Sequence, residues 1–235
     1  MDLSYIDKNL ADVRQRISDA AQRAGRDAAS ITLMAAIKSA NVDQIKHLYE
    51  HCGVSTLGEN RVQQLTERYE KLDDTKFDLH FIGSLQTNKV KYIIDKVSLI
   101  HSLDSERLAE EIQKQAQKRK ITANVLVEIN SGNEQSKGGI EPDAVADFCL
   151  SLKKYPNIKL CGFMTMAPRC ECKEDYYPYF NNTRSIALSV WKNVLGREGE
   201  PVISMGMSES FEAAIECGSN MVRIGRCLFE QEQAQ

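Results

Sequence analysis

A lysine at the end of one short apolar segment and an arginine inside another are in positions where a charged side chain is costly unless it has a partner or a ligand. Lys38 directly follows the apolar run 33–37, and Arg223 lies inside the apolar segment 221–225. Desolvation at a strand end lowers the pKa of a lysine amine, which raises the neutral fraction that can attack an aldehyde. Lys38 is therefore a candidate imine-forming lysine. A lysine that reaches from a strand end to water would have the same sequence.

The permanent charge of Arg223 needs a partner in whichever direction the side chain points, because a buried guanidinium without one is costly. Close to Lys38, it would lower the pKa of the amine further. Close to an aromatic ring nitrogen, it would donate a hydrogen bond and oppose protonation of that nitrogen. A structural salt bridge to Glu59 or Asp104 explains the same residue without any ligand. The residues alone leave both interpretations open.

Two loops near the carboxyl terminus have residue types that suit an anion. The stretch SMGMSES precedes a helical pattern, and GRC follows the last apolar segment. Gly206 permits a close approach of the backbone, Ser208 offers a hydroxyl, and the amides of Gly225 and Arg226 can converge with them on one phosphate. The alternative is that Ser208 caps its own helix and Gly206 only forms a turn. A fold that brings both loops to one corner favours the phosphate interpretation.

Eight short apolar segments must position these side chains. Most of them end at polar residues or Gly, as buried strands do. The predicted strands are residues 31–37, 54–58, 78–83, 98–103, 124–130, 159–166, 201–207 and 221–225. Helical patterns lie between them, several introduced by Ser, Asn, Asp or Pro, and a further helix is predicted over residues 3–25.

The alternation of strand and helix, eight times in 235 residues, predicts a (β/α)8 TIM barrel with an extra N-terminal helix. We expect a single domain over residues 1–235, because a chain of this length can bury one sizeable core. The barrel is favoured over a doubly wound open sheet, which usually has fewer strands. The chemistry of a barrel is located at the carboxyl ends of its strands. That rule places Lys38, Arg223 and the two glycine-containing loops at the same mouth.

The composition excludes several classes of protein. The chain has 30 basic and 33 acidic residues and a formal charge of -3, which provides no basic surface for nucleic acid. Its seven cysteines lack the spacing of a disulfide framework and its first residues lack a signal pattern, so we expect a reduced, cytoplasmic protein. No apolar run approaches the roughly 20 residues of a membrane span, so no membrane association is expected.

Two groups of metal-ligand residue types also occur. Cys170 and Cys172 lack a second ligand pair at metal spacing. His47 and His51 share a helix face with Cys52 beside them, but the sequence shows no partner for them elsewhere. We therefore predict no metal site.

The segments that carry the chemistry resemble those of a known family. The family is the YggS/PROSC family of pyridoxal phosphate homeostasis proteins. The matching segments, in the same order, are Lys38, LGENRVQQL, LHFIGSLQTNKVK, HSLDS, NSGNEQSKGGI, GFMTM, SMGMSESFEAAIECG and VRIG. The resemblance covers about residues 10–229. It implies a barrel like that of fold-type III enzymes such as alanine racemase, with pyridoxal 5'-phosphate (PLP) as the cofactor.

The resemblance also implies roles for nine residues. Lys38 would hold PLP as an internal aldimine, and Arg223 would face its pyridine nitrogen. The expected phosphate ligands are Ser208 and the amides of Gly225 and Arg226. The residues expected to line the pocket or approach the ring are Asn60, His80, Ser204 and Met205.

The sequence departs from the family pattern at three places. Ile37 precedes the lysine where the family usually has Ser or Thr, and Ser-Ala follows it. Arg226 replaces a Ser or Thr whose hydroxyl binds phosphate, so it either supplies a charge-assisted contact or points away. Glu230 stands where Gly is usual. Lys137 is an additional candidate contact to the aldehyde or the phosphate.

The expected function is PLP homeostasis, meaning storage, buffering or delivery of the cofactor without catalytic turnover. An arginine opposite the pyridine nitrogen weakens the electron sink, and racemases with that arrangement take a second acid or base from another domain or subunit. We expect no such domain here, because the chain stops at Gln235. The alternative is a PLP-dependent racemase-like enzyme that recruits a loop tyrosine or cysteine, and a Schiff-base aldolase is a second rival. The expected partners are PLP and, transiently, PLP-dependent enzymes, and a monomer is expected.

Overall fold

The chain folds into a closed barrel of eight parallel strands. A computed structural model describes residues 2–72, 77–132 and 138–231. The strands are β1 (Thr32–Ala36), β2 (Thr56–Glu59), β3 (Asp78–Phe81), β4 (Leu99–Leu103), β5 (Ala123–Ile129), β6 (Ile158–Thr165), β7 (Val202–Ser204) and β8 (Met221–Ile224). Each strand pairs with the next along the chain, and β8 pairs with β1. The predicted barrel is confirmed, because each predicted apolar segment contains or overlaps one strand.

Helices surround the barrel on its outer side. The helices are α1 (Ser4–Arg23), α2 (Val42–Glu50), α3 (Val62–Tyr69), α4 (Glu106–Arg119), α5 (Val145–Ser151), α6 (Tyr177–Ser189), α7 (Phe211–Glu216) and α8 (Arg226–Phe229). A π-helical turn, Val190–Val194, extends α6. The predicted extra helix is α1, which precedes the first strand. In the described ranges, no helix combines the length and the apolar character that a membrane span requires.

The prediction of a helix after every strand is wrong between β3 and β4. This connection contains a 3₁₀ helix, Thr87–Tyr92, in place of an α-helix. Its first residues run close to the end of β2: a Cβ at Gly83 would lie 2.0 Å from the carbonyl oxygen of Asn60. The connection thus packs against the residue that follows β2 before its 3₁₀ helix begins.

Helix α1 packs beside the two helices that follow the last strands. Ile6, Leu10, Val13 and Ile17 form its buried face at helical spacing. The Arg16 guanidinium lies 4.6 Å from the ring centre of Phe211 in α7 and 3.2 Å from a carboxylate oxygen of Glu212. The first helix therefore supports the elements that carry the loops after β7 and β8.

The interior of the barrel is partly polar. Two small apolar clusters lie inside it, and their buried members are Met34, Ala36, Ile82 and Met221 in one and Leu99, Leu126 and Met164 in the other. His101 of β4 and Ser204 of β7 hydrogen-bond across the barrel, which places both side chains inside it. Because side chains alternate between the two faces of a strand, Met205 points outward into the core beneath the helices.

Gly162 in β6 is a position where the fold requires glycine. A Cβ there would lie 2.0 Å from the carbonyl oxygen of Val202 and 2.6 Å from its nitrogen. We expect Gly162→Ala to lower the free energy of unfolding by about 3 kcal/mol, because the backbone of β7 cannot move away cheaply. Urea denaturation of the purified protein measures the loss.

Gly199→Ala is the matched control. Gly199 has a φ of +74° and nothing within 4 Å of a built Cβ, so the change costs only the backbone strain, about 1 kcal/mol. Equal losses for the two variants would contradict the close approach of β6 and β7.

Candidate functional site

A cavity of about 320 Å³ opens at the carboxyl ends of the strands. Residues that follow β1, β2, β6, β7 and β8 contribute to its wall. Six of the nine site residues expected from the sequence line it together, namely Lys38, Asn60, Ser208, Arg223, Gly225 and Arg226. The barrel rule therefore brought these six residues to one cavity.

The charge of the wall favours an anionic ligand. Its cationic side chains are Lys38, Arg169, Arg223 and Arg226, and Glu209 is the one carboxylate that lines it among the described residues. Arg226 Nη2 donates to Glu209 Oε1 at 2.7 Å, so part of this charge is neutralised at the rim. Lys38 and Arg223 have no carboxylate within hydrogen-bond distance in the described ranges. A phosphate or carboxylate ligand would meet an excess of positive charge here.

Lys38 is exposed at the mouth, contrary to the desolvation expected from the apolar run before it. The reason is that β1 ends at Ala36, so Lys38 lies two residues beyond the strand, in the connection to α2. Its amine is accessible from solvent and from the cavity at the same time.

A buried ion pair fixes the backbone on both sides of Lys38. Glu59 at the end of β2 is fully buried and pairs with Arg68 of α3. Arg68 donates through Nη1 to the carbonyl of Ile37 at 2.8 Å and through Nη2 to the carbonyl of Ala40 at 2.7 Å. The exposed lysine side chain is thus attached to a backbone segment that is held in place.

Glu59 also orients the residue after it. Its Oε1 accepts from the backbone nitrogen of Asn60 at 2.7 Å and from that of Arg61 at 3.2 Å. The proposed salt bridge of Arg223 with Glu59 is therefore wrong, because both oxygens of this carboxylate are engaged elsewhere.

Arg223 forms the floor of the cavity and is only 4% exposed. Its Nη1 donates to the carbonyl and the hydroxyl of Ser204, at 2.7 and 2.8 Å, and its Nη2 donates to the carbonyl of Thr165 at 2.9 Å. Burial lowers the pKa of Arg223 to about 10, against the opposing effect of Glu128. The side chain remains a cation that is held by neutral oxygens, and the alternative bridge to Asp104 does not form either.

Three expected residues are outside the cavity wall. Ser204 lies beneath Arg223 as its hydrogen-bond acceptor, and His80 lies deeper in the barrel, bonded to Asp78 and His101. Met205 lies on the outer face of the sheet. Ser204 and Met205 do lie at the carboxyl end of β7, as predicted. Because side chains alternate along a strand, Ser204 points into the barrel and Met205 points away from it.

The loops after β7 and β8 meet, as the phosphate interpretation required. The hydroxyl of Ser208 accepts from the backbone nitrogen of Cys227 at 3.4 Å. Helix α7 starts only at Phe211, so the alternative in which Ser208 caps its own helix is wrong. Gly206 has a φ of +93°, and a Cβ there would lie 2.6 Å from the Cβ of Ala214. It therefore provides both a turn and close packing.

Sequence reasoning missed three residues at or below the site. Tyr176 lines the cavity, while His101 and Glu128 are buried in the barrel interior. Burial, together with Asp104, raises the pKa of Glu128 to about 7, although Arg223 opposes the shift. The signal that singled out Arg223, a charge inside an apolar strand, also applies to Glu128.

The structure gives His47 and Cys52 a partner that the sequence did not show. Asp7 of α1 places Oδ1 2.9 Å from His47 Nε2 and 3.0 Å from Cys52 Sγ. Burial and this hydrogen bond raise the pKa of the Cys52 thiol to about 11, so it is a protonated donor. These mutual hydrogen bonds already satisfy the three groups, and they do not by themselves indicate a metal. Lys137 lies outside the described residues.

Comparison with known proteins agrees with this architecture. The family model described as alanine racemase, N-terminal domain, matches residues 2–233. A pyridoxal phosphate homeostasis protein of Aquifex aeolicus is 44% identical over 229 residues, which cover 96% of this chain and 98% of that relative.

Solved structures extend the likeness to the fold. A crystal structure of an unknown protein from Bifidobacterium adolescentis has a TM-score of 0.86 at 31% identity and covers 97% of both chains. PipY of Synechococcus elongatus PCC7942, solved with PLP bound, has a TM-score of 0.82 at 24% identity and covers 96% of this chain and 100% of that one. Because the matches span nearly the whole chain, this protein belongs to the pyridoxal phosphate homeostasis (YggS/PROSC) family, which has the alanine racemase N-terminal barrel.

Proposed function

We propose that this protein binds PLP reversibly at the barrel mouth and acts in PLP homeostasis by storing, buffering or delivering it. The observation that carries the proposal is that the accessible amine of Lys38 and the buried guanidinium of Arg223 line one cavity with an excess of positive charge. The name of the Aquifex relative and the PLP-bound PipY structure support it.

An unsatisfied polar atom in the wall fits a polar ligand. Asn60 Oδ1 is buried and has no hydrogen-bond partner in the part of the chain that the structure describes. Leaving such an acceptor unpaired is costly. A ligand with a hydroxyl donor would remove that cost, and PLP has one beside its aldehyde.

PLP supplies an aldehyde that can form a reversible imine with an amine. Lys38 is the residue proposed to provide that amine. Its nitrogen forms a C=N bond to the aldehyde carbon, and the aldehyde oxygen leaves as water. Because Lys38 is exposed, water and competing amines reach this bond easily, which suits exchange of the cofactor with other proteins.

Arg223 is proposed to face the pyridine nitrogen. A guanidinium can only donate hydrogen bonds, so it holds a ring nitrogen in the unprotonated state. An unprotonated ring withdraws electrons from a bound amino acid weakly. The residue therefore favours holding the cofactor over carbanion chemistry.

The corner between the loops after β7 and β8 is proposed to bind the phosphate. Ser208 and the backbone amides of Gly225 and Arg226 lie there. The side chain of Arg226 is paired with Glu209, so a phosphate would have to compete with that carboxylate for the guanidinium. The hydroxyl and the two amides are thus the main expected phosphate ligands.

Tyr176 is the specific observation that favours a racemase-like enzyme as the second candidate. It lines the cavity, and its hydroxyl oxygen accepts from the backbone nitrogen of Cys170 at 3.2 Å. No acceptor for the hydroxyl hydrogen is found among the residues that the structure describes, so Tyr176 could move a proton to or from a bound amino acid. This matches the loop tyrosine that the racemase alternative requires.

Borohydride reduction tests the role of Lys38. The purified protein incubated with PLP should turn yellow, lose the colour on reduction and carry the reduced cofactor on Lys38, as read by peptide mass spectrometry. Lys38→Ala should lose the colour, and Lys46→Ala, an exposed lysine of α2, should keep it.

Two results would contradict this assignment. A label on another lysine would place the site elsewhere. Labelling of Lys38 by a sugar phosphate but not by PLP would favour the aldolase.

Arg68→Lys tests whether the hydrogen bonds of Arg68 to the backbone on both sides of Lys38 contribute to PLP binding. Lysine keeps the charge beside Glu59 but cannot hold the carbonyls of Ile37 and Ala40 with a planar fork. We expect the affinity for PLP to fall about 2- to 10-fold through loss of one hydrogen bond, although Arg68 does not line the cavity. Absorbance titration measures the affinity, and urea unfolding checks that the variant is folded. Unchanged affinity for PLP would show that these two backbone hydrogen bonds have no role in binding.

A stereochemical assay separates carrier from catalyst. With PLP and L-alanine, we expect no formation of D-alanine above the rate of free PLP, because Arg223 weakens the electron sink. Racemisation that disappears in both Lys38→Ala and Tyr176→Phe would replace the carrier function with the racemase-like one.

A further inference from the structure

A continuous line of hydrogen bonds crosses the barrel interior and ends at the cavity floor. Asp78 Oδ2 lies 3.0 Å from His80 Nε2, and His80 Nδ1 lies 3.0 Å from His101 Nε2. His101 Nδ1 lies 3.1 Å from Ser204 Oγ, which accepts from Arg223 Nη1 at 2.8 Å. Four strands, β3, β4, β7 and β8, thus contribute to one line.

The two ends of this line are in different environments. Asp78 begins β3 at the amino-terminal end of the barrel, and its side chain is 49% exposed. His101 and Ser204 are fully buried, and Arg223 lies beneath the cavity at the opposite end. The line therefore connects solvent on one side of the barrel with the proposed cofactor site on the other.

One arrangement of protons satisfies every link with both histidines neutral. Arg223 donates to Ser204 Oγ, and the Ser204 hydroxyl donates to His101 Nδ1. His101 Nε2–H then donates to His80 Nδ1, and His80 Nε2–H donates to the Asp78 carboxylate. All donors point away from the cavity, and each acceptor in the line is used.

The reverse arrangement requires an added proton. If His101 Nδ1–H donates to Ser204, His101 Nε2 must accept from His80 Nδ1–H. A neutral His80 would then present a bare Nε2 to the Asp78 carboxylate, and two acceptors 3.0 Å apart repel each other. The reversed line is therefore stable only when His80 is a cation.

The surroundings of the line act on its other two titratable members, His101 and Asp78. Burial, then the proximity of His80 and Arg223, holds the pKa of His101 well below its usual range. The hydrogen bond from His80 holds the pKa of Asp78 low, so a carboxylate is present to stabilise a His80 cation. Glu128 also interacts electrostatically with Arg223 and is itself close to Asp104. The cations that line the cavity above Arg223 are Lys38, Arg169 and Arg226.

We propose that Asp78, His80, His101 and Ser204 form a hydrogen-bond relay that positions Arg223 and reverses when His80 takes up a proton. Ser204 is the link that changes. A hydroxyl that donates to His101 is a better acceptor for Arg223, because aligned hydrogen bonds strengthen one another. After reversal, the hydroxyl no longer donates to His101, and the guanidinium is held less firmly. His101 and Ser204 are thus positioning residues.

Nitrogen NMR of the full chain with ¹⁵N-labelled histidine tests the relay without any cofactor. The sequence has four histidines, so single substitutions assign the signals, and exposed His51 serves as the reference. We expect His80 and His101 to carry their proton on Nε2 at neutral pH. On acidification, His101 should move its proton to Nδ1 in step with double protonation of His80. His101 protonated on Nδ1 at neutral pH, or unchanged while His80 titrates, would overturn the relay.

The effect of the relay on the cavity rests on the proposed function, and Asp78→Ala tests it. This change removes the last acceptor of the line at the end remote from the cavity. We expect affinity for PLP at neutral pH to fall roughly 2- to 10-fold, the worth of one hydrogen bond. Asp95→Ala, which removes an exposed carboxylate paired with Arg119 at the same end of the barrel, should leave the affinity unchanged.

The outcomes separate the two proposals. Unchanged PLP affinity in Asp78→Ala overturns the positioning of Arg223 and leaves the homeostasis function standing. Wild-type protein that binds no PLP overturns that function, and the NMR result then decides the relay. A fall in affinity together with the expected tautomers supports both.

Discussion

The burial of one guanidinium inside the barrel constrains the rest of the site. Arg223 has no bonded carboxylate among the described residues, so neutral oxygens must be directed at it. Thr165 supplies a carbonyl from the end of β6, and Ser204 supplies both a carbonyl and a hydroxyl from the end of β7. A buried cation held in this way cannot move without losing several hydrogen bonds. It therefore fixes the ends of three adjacent strands and provides a rigid floor for the cavity.

Lys38, which follows the neighbouring strand β1, is held in a different way from Arg223. Its side chain is exposed, and only its backbone is held, by the carbonyl contacts of Arg68. The Glu59–Arg68 pair is buried away from the cavity, so the ion pair acts on Lys38 only through the main chain. A fixed backbone with an exposed amine suits the reversible bond that is proposed for Lys38. The site thus combines a buried, fixed cation with an accessible amine.

Sequence reasoning succeeded where the geometry of a barrel determines the answer. Eight strand segments and the carboxyl-end rule were enough to bring Lys38, Arg223 and the Ser208 loop together. It failed where strand register and orientation matter. His80 lies in β3 and Met205 directly follows β7, but His80 points deep into the barrel and Met205 points outside it. The partners of Glu59 and Ser208 could not be predicted, because Arg68 and Cys227 reach them only through tertiary packing.

The closure of β8 onto β1 has a consequence for synthesis of the protein. The amine that is proposed to hold the cofactor belongs to the first strand unit, and the floor and the phosphate corner belong to the last two. A nascent chain on the ribosome therefore has no complete cavity until β8 has emerged. Contacts this distant in sequence also form late in folding. Under the proposed assignment, unfinished chains therefore lack part of the cofactor site, and only a fully translated barrel has all of it.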